Sequence, residues 1–294
     1  MITATSPAAV ERVMQRIAEH VRAELTSDAP TITGTIAGDP FFPVLVRSDH
    51  GLELLLLTDT GAVEAFYAAR VQTFEILDTN RVTELRSDWY ALHESVAAVR
   101  HVGVFNGVEP TNGVHRVHSV VLFPTDAGGI VGELEWTRFD FADIFRGMAA
   151  LPAPTSGPEA YLPLGRLAAA DRHERMVRAW WNADAEAVAA ELGEDCRWAT
   201  RHAHADLPVP AITSGVDAAE IRAAVGQFAS VELVELTRLQ RVAADWFSFA
   251  EWKVVVTVGG SRRVARLVSL APVDADGRLL GHLAYSVDAG ESTD

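Results

Sequence analysis

Two short stretches, DWYALHE at Asp88–Glu94 and DWFSFAE at Asp245–Glu251, repeat each other half a chain apart. Each begins with an acidic residue and a tryptophan, continues as a run typical of a β-strand, and ends on a glutamate. A repeat at this spacing in a chain of 294 residues predicts two copies of one domain.

The similarity continues on both sides of these stretches. Upstream, Thr58–Leu77 and Ile212–Leu236 each contain a glycine, a helical pattern and then a strand-like run. Downstream, Val114–Trp136 and Ser261–Tyr285 each contain two β-runs separated by a proline and an Asp/Gly turn, which predicts a hairpin. Three matches in the same order predict domains at 1–147 and 166–294, joined by a Pro- and Gly-rich linker at 148–165.

The second copy predicts an α+β domain, in which helices precede a run of long antiparallel strands. Its predicted helices are Asp171–Trp181, Ala185–Leu192 and about Asp217–Phe228. Its predicted strands lie near Cys196–His202, Val231–Val242, Phe247–Val258, Arg263–Leu270 and Leu279–Val287.

The first copy is predicted to be less regular than the second. Its opening helix, Ala8–Glu24, is read as a single stretch. A hairpin of Val44–Arg47 and Leu52–Leu57 is read as an insertion before the third helix.

Composition and charge exclude several classes of function. A formal net charge of −15 argues against binding of nucleic acid and would repel an anionic membrane surface. Cys196 is the sole cysteine, so an intrachain disulfide cannot form. Because no signal peptide or apolar run long enough to span a bilayer is evident, we expect a cytoplasmic protein.

Three segments of the second copy carry a resemblance to a known superfamily. They are MVRAWWNADAEAVAAELGEDCRW (Met176–Trp198), SGVDAAEIRAAV (Ser214–Val225) and DADGRLLGHLAY (Asp274–Tyr285). Together they look like the start, middle and end of a SnoaL-like or NTF2-like (ketosteroid-isomerase-like) domain. The resemblance covers about Asp171–Asp288 and, more weakly, Ala8–Trp136. It implies two tandem cone-shaped domains, each a curved antiparallel sheet around helices, arranged as an intrachain pseudo-dimer or in a homodimer.

The superfamily includes isomerases, dehydratases, cyclases, epoxide hydrolases and non-catalytic binders, so the resemblance implies a fold more than a reaction. Ketosteroid-isomerase-like members use two carboxyl groups and a tyrosine. The corresponding positions of the second copy hold Thr200, Val177 and Ser269, which cannot do that chemistry. Polyether-type epoxide-opening cyclases, which also place two such domains in one chain, are similar in architecture.

Strand alternation divides each predicted strand into a pocket face and an outer face. The residues predicted to line the pocket of the second copy are Trp198, Thr200, His202, Trp252, Ser269 and His282. This pocket is mostly apolar, with imidazoles in its wall. His202 and His204 share a face, but no third ligand is identifiable nearby, so we expect no metal.

The predicted pocket of the first copy carries more ionisable groups. His93, Arg116, His118, Glu133 and Glu135 are all predicted to face inward. A carboxylate beside an imidazole is a plausible acid–base pair, so His118 is predicted to be the base, Glu133 its partner and His93 a third catalytic group. Glu94 and Glu251 are predicted to lie on the outer face.

Two functions remain open at this point. One is an enzyme without organic cofactor, a cyclase, dehydratase, isomerase or epoxide-opening enzyme acting on a small apolar, polyketide-like metabolite. The alternative is a non-catalytic ligand-binding or accessory protein with degenerate pockets. A separate idea about the second copy is that it exists to complete a pseudo-dimer within one chain.

Overall fold

A computed structural model describes residues 7–48, 51–104, 109–139, 164–204, 207–274 and 276–289 of the chain. The described residues form two compact units, one within 7–139 and the other within 164–289. Most of the predicted linker, residues 148–163, lies outside the described residues.

The first unit contains three helices and six strands. Its helices are α1 (Pro7–Leu25), α2 (Ala29–Gly34) and α3 (Thr60–Thr73). Its strands are β1 (Phe42–Ser48), β2 (Gly51–Leu57), β3 (Phe74–Arg86), β4 (Tyr90–His101), β5 (Val114–Pro124) and β6 (Leu134–Phe139).

The second unit has the same series of elements. Its helices are α4 (Leu164–Trp181), α5 (Ala185–Glu191) and α6 (Ala218–Gly226), followed by a short 3₁₀ turn at Gln227–Ser230. Its strands are β7 (Leu192–Ala203), β8 (Ile212–Gly215), β9 (Val231–Ala243), β10 (Phe247–Val258), β11 (Ser261–Pro272) and β12 (Leu279–Asp288).

The two sheets have one topology. Their strand orders are β2-β1-β6-β5-β4-β3 and β8-β7-β12-β11-β10-β9. The strand pairs are antiparallel except β1 with β6 and β7 with β12, which run parallel. The prediction of a tandem α+β fold is confirmed, although each sheet is mixed and not purely antiparallel. The two strands of each parallel pair are far apart in sequence and are not joined by a hairpin, so no tight turn forces them to run in opposite directions.

The hairpin of the first unit is not an insertion, which corrects the prediction. The β1–β2 hairpin occupies the place of β7–β8 in the second unit. The short helix α2 was also missed, because the sequence was read as one opening helix. Its six residues include a proline at the start, where the missing N–H costs nothing.

Helix starts fix the residue equivalence between the units. Asp28 and Asp184 cap α2 and α5, and the preceding residues, Ser27 and Ala183, have φ of 56° and 57°. Asp59 caps α3 by accepting from the N–H of Ala62 at 2.8 Å, as Asp217 caps α6. The helices of the two units can therefore be aligned residue by residue.

The two interiors differ in composition. The second unit is filled by an apolar cluster that includes Met176, Trp180, Trp198, Phe228 and Trp252. In the first unit, one cluster surrounds Phe42, Val63 and Tyr67, and another contains Ile17, Ala91, Phe123 and Ile130. The ring of His20 contacts Tyr67 of the first cluster and Phe123 of the second.

Removing the cap of α3 gives a modest test of this architecture. We expect Asp59→Ala to lower the free energy of unfolding by about 1 kcal/mol, because the N–H of Ala62 loses its acceptor. Urea unfolding followed by circular dichroism measures the change. Asp59→Asn keeps an acceptor and is the control, and equal losses in both variants would contradict the capping role.

In the part of the chain that the structure describes, no helix has the length and apolar character needed to cross a membrane.

Candidate active site

A buried hydrogen-bond network lies between the helices and the sheet of the first unit. His20 of α1 is fully buried, and its Nε2 is 2.6 Å from Oε1 of Glu133, which directly precedes β6. Its Nδ1 is 2.6 Å from Oγ1 of Thr35. The hydroxyl of Tyr67, on α3, also donates to Oε1 of Glu133. Two helices, α1 and α3, thus each contribute a hydrogen bond to one carboxylate, and the loop after α2 contacts the far side of the His20 ring.

Three further ionisable groups connect this network to solvent. Arg70, one turn after Tyr67, forms an ion pair with Glu24, which lies one turn after His20. The side chains of Arg70 and Glu24 are 34% and 13% exposed. Glu135 is half-buried on the same face of the sheet as Glu133, and its Oε1 accepts from the hydroxyl of Thr137. The solvent-facing end of the site is therefore at Glu24, Arg70 and Glu135.

The buried pair His20–Glu133 favours its charged form. Burial raises the pKa of Glu133. The hydrogen bonds from His20 and Tyr67 and the charge of His20 lower this pKa by more than burial raises it, so the net shift is downward. Burial lowers the pKa of His20, and the bond and charge of Glu133 outweigh this and raise it. Glu133 is thus an anion held by two donors.

The neighbouring carboxyl group behaves in the opposite way. Burial and then the negative charge of Glu133 raise the pKa of Glu135 to about 7. Burial and the same charge raise the pKa of Tyr67 well above its usual value, so its hydroxyl stays protonated and remains a donor. Near neutral pH, Glu135 can therefore give up a proton while Glu133 can accept one.

One set of side chains has a spacing that a metal ion could bridge. Ligand atoms of His20, Glu24 and Glu133 lie within 4.8 Å of one another. Glu24 is paired with the cation of Arg70, and Glu133 already accepts from His20 and Tyr67. These partners favour a network that shares protons over a metal centre.

His118 and Arg116 do not face this site, which corrects the prediction. In the register of the sheet, His118 lies opposite Arg138 and Val121 lies opposite Glu135. Directly opposed residues share a face, so His118 is on the other side of the sheet from Glu133 and Glu135. The predicted His118–Glu133 pair is wrong in its geometry, and the exposed Arg116, two residues away, also lies on the outer face.

The error came from aligning β5 with β11 one residue out of register. Pro124 and Pro272 end β5 and β11, so aligning the prolines places Val121 with Ser269. That alignment would have turned Ser119 and Val121 inward and His118 outward.

His93 does share the inner face, but it is not part of the network. It pairs across the sheet with Val121. Its Nε2 lies 3.1 Å from Nη1 of Arg81 and 3.2 Å from Glu84, and its ring packs on Phe123. Burial, and then the charge of Arg81, lower its pKa to about 4. His93 is therefore a neutral ring that contacts the edge strand β3 and packs beside the site without joining its hydrogen bonds.

In the second unit, the predicted pocket residues share the inner face. The register aligns Trp198 with His282, Thr200 with Ala284, and His202 with Ser286. Ser269 and Trp252 also face inward, because Ala250 pairs with Ser269 and Trp252 with Leu267. Burial lowers the pKa of His202 to about 3, so its ring is neutral. Its Nδ1 is 2.8 Å from Oγ of Ser286, which also contacts His204 at 3.0 Å.

Among its described residues, the second unit has no counterpart of the polar network of the first. With the helix caps and sheet registers as anchors, the following pairs are equivalent: His20 and Met176, Glu24 and Trp180, Tyr67 and Val225, Arg70 and Phe228, Glu133 and His282, and Glu135 and Ala284. Apolar side chains replace nearly every ionisable group. The indole N–H groups of Trp180, Trp198 and Trp252 and Nδ1 of His282 are buried without a hydrogen-bond partner among the described residues.

Sequence reasoning missed His20, Glu24, Tyr67, Arg70 and Thr35. A signal for the helical residues existed, because Ile17, His20 and Glu24 follow one another at helical spacing along the buried stripe of α1. Polar residues in such a stripe indicate a polar interior.

Thr35 also lines a surface cleft of about 320 Å³. Its lining residues are Arg16, Glu19, Thr31, Gly34, Thr35 and Gly128. Thr35 is the member of this set that contacts His20.

No family model matches the chain, and no curated protein matches it in sequence. Solved structures do match, each over about half of the chain. A candidate polyketide cyclase from a Silicibacter species is 15% identical and covers 47% of this chain and 96% of its own, with a TM-score of 0.36. An NTF2-like protein from Burkholderia xenovorans is 13% identical over 50% of this chain and 100% of its own, with a TM-score of 0.35.

A third match is an LEH-like epoxide hydrolase from M. tuberculosis, 18% identical over 42% of this chain and 84% of its own, with a TM-score of 0.33. These names fall within the superfamily that the sequence resembles. At such identities and scores, the likeness assigns neither substrate nor reaction to this chain.

Proposed function

We propose that the first unit is an acid–base catalyst without organic cofactor, acting on a small, uncharged and largely apolar metabolite. The observation that carries this proposal is that the pKa values of two neighbouring carboxyl groups are shifted in opposite directions. The two groups lie on one face of the sheet, Glu135 in β6 and Glu133 directly before it. Glu133 has a lowered pKa, whereas the pKa of Glu135 is raised to about 7. Such a pair supplies a base and an acid at the same pH.

In this mechanism, Glu135 donates a proton to an oxygen of the substrate, and Glu133 takes a proton from a carbon or from an attacking water. Tyr67 and His20 hydrogen-bond to the carboxylate of Glu133 and hold it in position before the proton transfer. Dehydration, isomerisation, cyclisation and epoxide opening all require this exchange of protons.

The charges of the site favour an uncharged substrate. His20 and Arg70 carry positive charge, Glu24 and Glu133 carry negative charge, and Glu135 is neutral when protonated. These charges cancel, so an ionic substrate would bury an unbalanced charge at considerable cost.

Carboxyl NMR tests the electrostatic basis of this proposal without a substrate. In protein labelled with ¹³C-glutamate, we expect the carboxyl signal of Glu135 to titrate near neutral pH and that of Glu133 well below it. Signals are assigned with Glu133→Gln and Glu135→Gln. Both groups titrating together near the usual value would overturn the acid–base assignment.

Turnover is tested with neutral alicyclic ketones and epoxides, by exchange of α-protons in D₂O and by hydration of the epoxide. We expect the wild-type protein to process one of these classes. Binding of both classes, seen as chemical-shift changes, with no turnover of either would favour the non-catalytic alternative.

For the second unit we propose a binding role without acid–base chemistry. Its support is the set of buried indole N–H groups that have no hydrogen-bond partner among the described residues, in an interior where those residues form an apolar cluster. These donors suit a neutral ligand that carries an acceptor oxygen. A shift of the ¹⁵Nε1 signals of Trp180 or Trp252 when the neutral ketones are added is expected, and unchanged signals at saturation of the first unit would contradict it.

A further inference from the structure

The hydroxyl of Thr35 constrains the protons of His20. Oγ1 of Thr35 is 2.6 Å from the carbonyl oxygen of Ile32, and a carbonyl can only accept. Thr35 therefore donates its single proton to Ile32. The same oxygen is 2.6 Å from Nδ1 of His20, so in that second bond it must accept. Nδ1 of His20 consequently carries a proton.

This proton count leaves one variable position on the ring. With Nδ1 protonated in every state, proton uptake and release occur at Nε2, 2.6 Å from Oε1 of Glu133. Tyr67 donates to the same oxygen. The pair thus shares one proton, which lies on Nε2 in the charged pair that the site favours and on Glu133 in the neutral pair.

The alternative tautomer would disable the pair. A neutral ring with its proton on Nε2 has no lone pair facing Glu133, so it could not accept a proton from the carboxyl group. The oxygen of Thr35 has a second effect: by accepting from Nδ1–H, it stabilises the charged imidazolium form of His20. Both effects depend on the oxygen of Thr35 and not on its methyl group.

We propose that Thr35 is a positioning residue that holds His20 in the Nδ1–H form, so that Nε2 and Glu133 exchange a single proton. The catalytic meaning of this tautomer rests on the proposed function, whereas the tautomer itself does not. The other groups that face His20 are Glu24 of its own helix, and Tyr67 and Arg70 of α3.

The test uses the full chain labelled with ¹⁵N-histidine and two-bond ¹H–¹⁵N correlation spectra. Above the pKa of His20, we expect the wild-type ring to carry its proton on Nδ1. Thr35→Ser retains the hydroxyl and is expected to keep this tautomer. Thr35→Val removes the acceptor, so the population should move to Nε2–H and the pKa of His20 should fall.

His173 provides an internal control, because it is equally buried in the second unit and contacts Ser248 at 3.0 Å and Ser269 at 2.6 Å. Its signals should not change in either variant. A wild-type ring protonated on Nε2 overturns the proposal without any variant, so failure of Thr35→Val to fold does not remove the test. An unchanged tautomer in folded Thr35→Val also overturns it.

Turnover separates this proposal from the proposed function. If the wild-type protein processes a ketone or epoxide, Thr35→Val should lower kcat about tenfold and shift its pH profile, and Thr35→Ser should restore both. If no substrate is processed, the proposed function fails, but the spectra still decide the tautomer.

Discussion

Glu133→Gln is expected to lower kcat by about 10²–10⁴-fold, the usual contribution of a general base. The amide cannot accept the substrate proton. In the native site His20 and Tyr67 both donate to Oε1, and the NH₂ group of glutamine, itself a donor, cannot replace that acceptor. The loss should appear in kcat more than in KM, because the shape of the site is nearly unchanged. Steady-state kinetics with the processed ketone or epoxide measures it.

Glu94→Gln is the matched control for this substitution. Glu94 is equally buried in the first unit, but it lies on the outer face of the sheet and accepts from the hydroxyl of Thr83 at 2.7 Å. We expect it to change stability and leave kcat as in the wild type. Equal losses of kcat in both variants would show that buried carboxylates support the fold and not the chemistry.

Glu135→Gln is expected to remove a pH dependence of stability. The pKa of Glu135 is raised from 4.5 to about 7, so between these values the folded protein binds more protons than the unfolded chain. Stability contributed by this group is therefore present at low pH and is lost as pH rises from about 4.5 through about 7. The full effect is on the order of 3 kcal/mol.

Urea unfolding at pH 5 and pH 8 measures this difference. The variant should lose less stability than the wild type between the two values, because the amide does not titrate. The exposed Glu232→Gln should behave as the wild type does. A wild-type protein and a Glu135→Gln variant with the same pH dependence would show that Glu135 titrates normally and cannot serve as the acid.

The same titration predicts the pH profile of the reaction. If Glu135 is the acid, wild-type kcat should fall as pH rises through about 7, because the donor proton is lost. In Glu135→Gln the rate should be low across this range and lack that falling limb.

The sequence predicted most of the second unit correctly, because its strands and helices have clear hydrophobic periodicity and are bounded by recognisable turn and cap residues. The predicted strand Phe247–Val258 has the observed bounds, and Asn182-Ala183-Asp184 marks the turn before α5. The phase of β10 and β12 was also right, since Trp252 and His282 face inward.

The site of the first unit was predicted only in part. Glu133 and Glu135 were predicted to face inward, as the register places them, but the slip in β5 turned His118 inward, whereas the imidazole beside Glu133 is that of His20. Alternation has a period of two, so an error of one residue exchanges the two faces. His20 and Tyr67 are remote from Glu133 in sequence, and periodicity within a helix does not indicate which strand that helix will contact.

The sequence by itself determined the repeated α+β architecture, because strand alternation, helix caps and turn residues are local signals that occur twice in the same order. Only the tertiary structure decided which groups meet. The pKa values of Glu133 and Glu135 diverge because burial, a cation and a neighbouring anion act over a few ångströms in space, and those distances are set by packing between elements far apart in the chain.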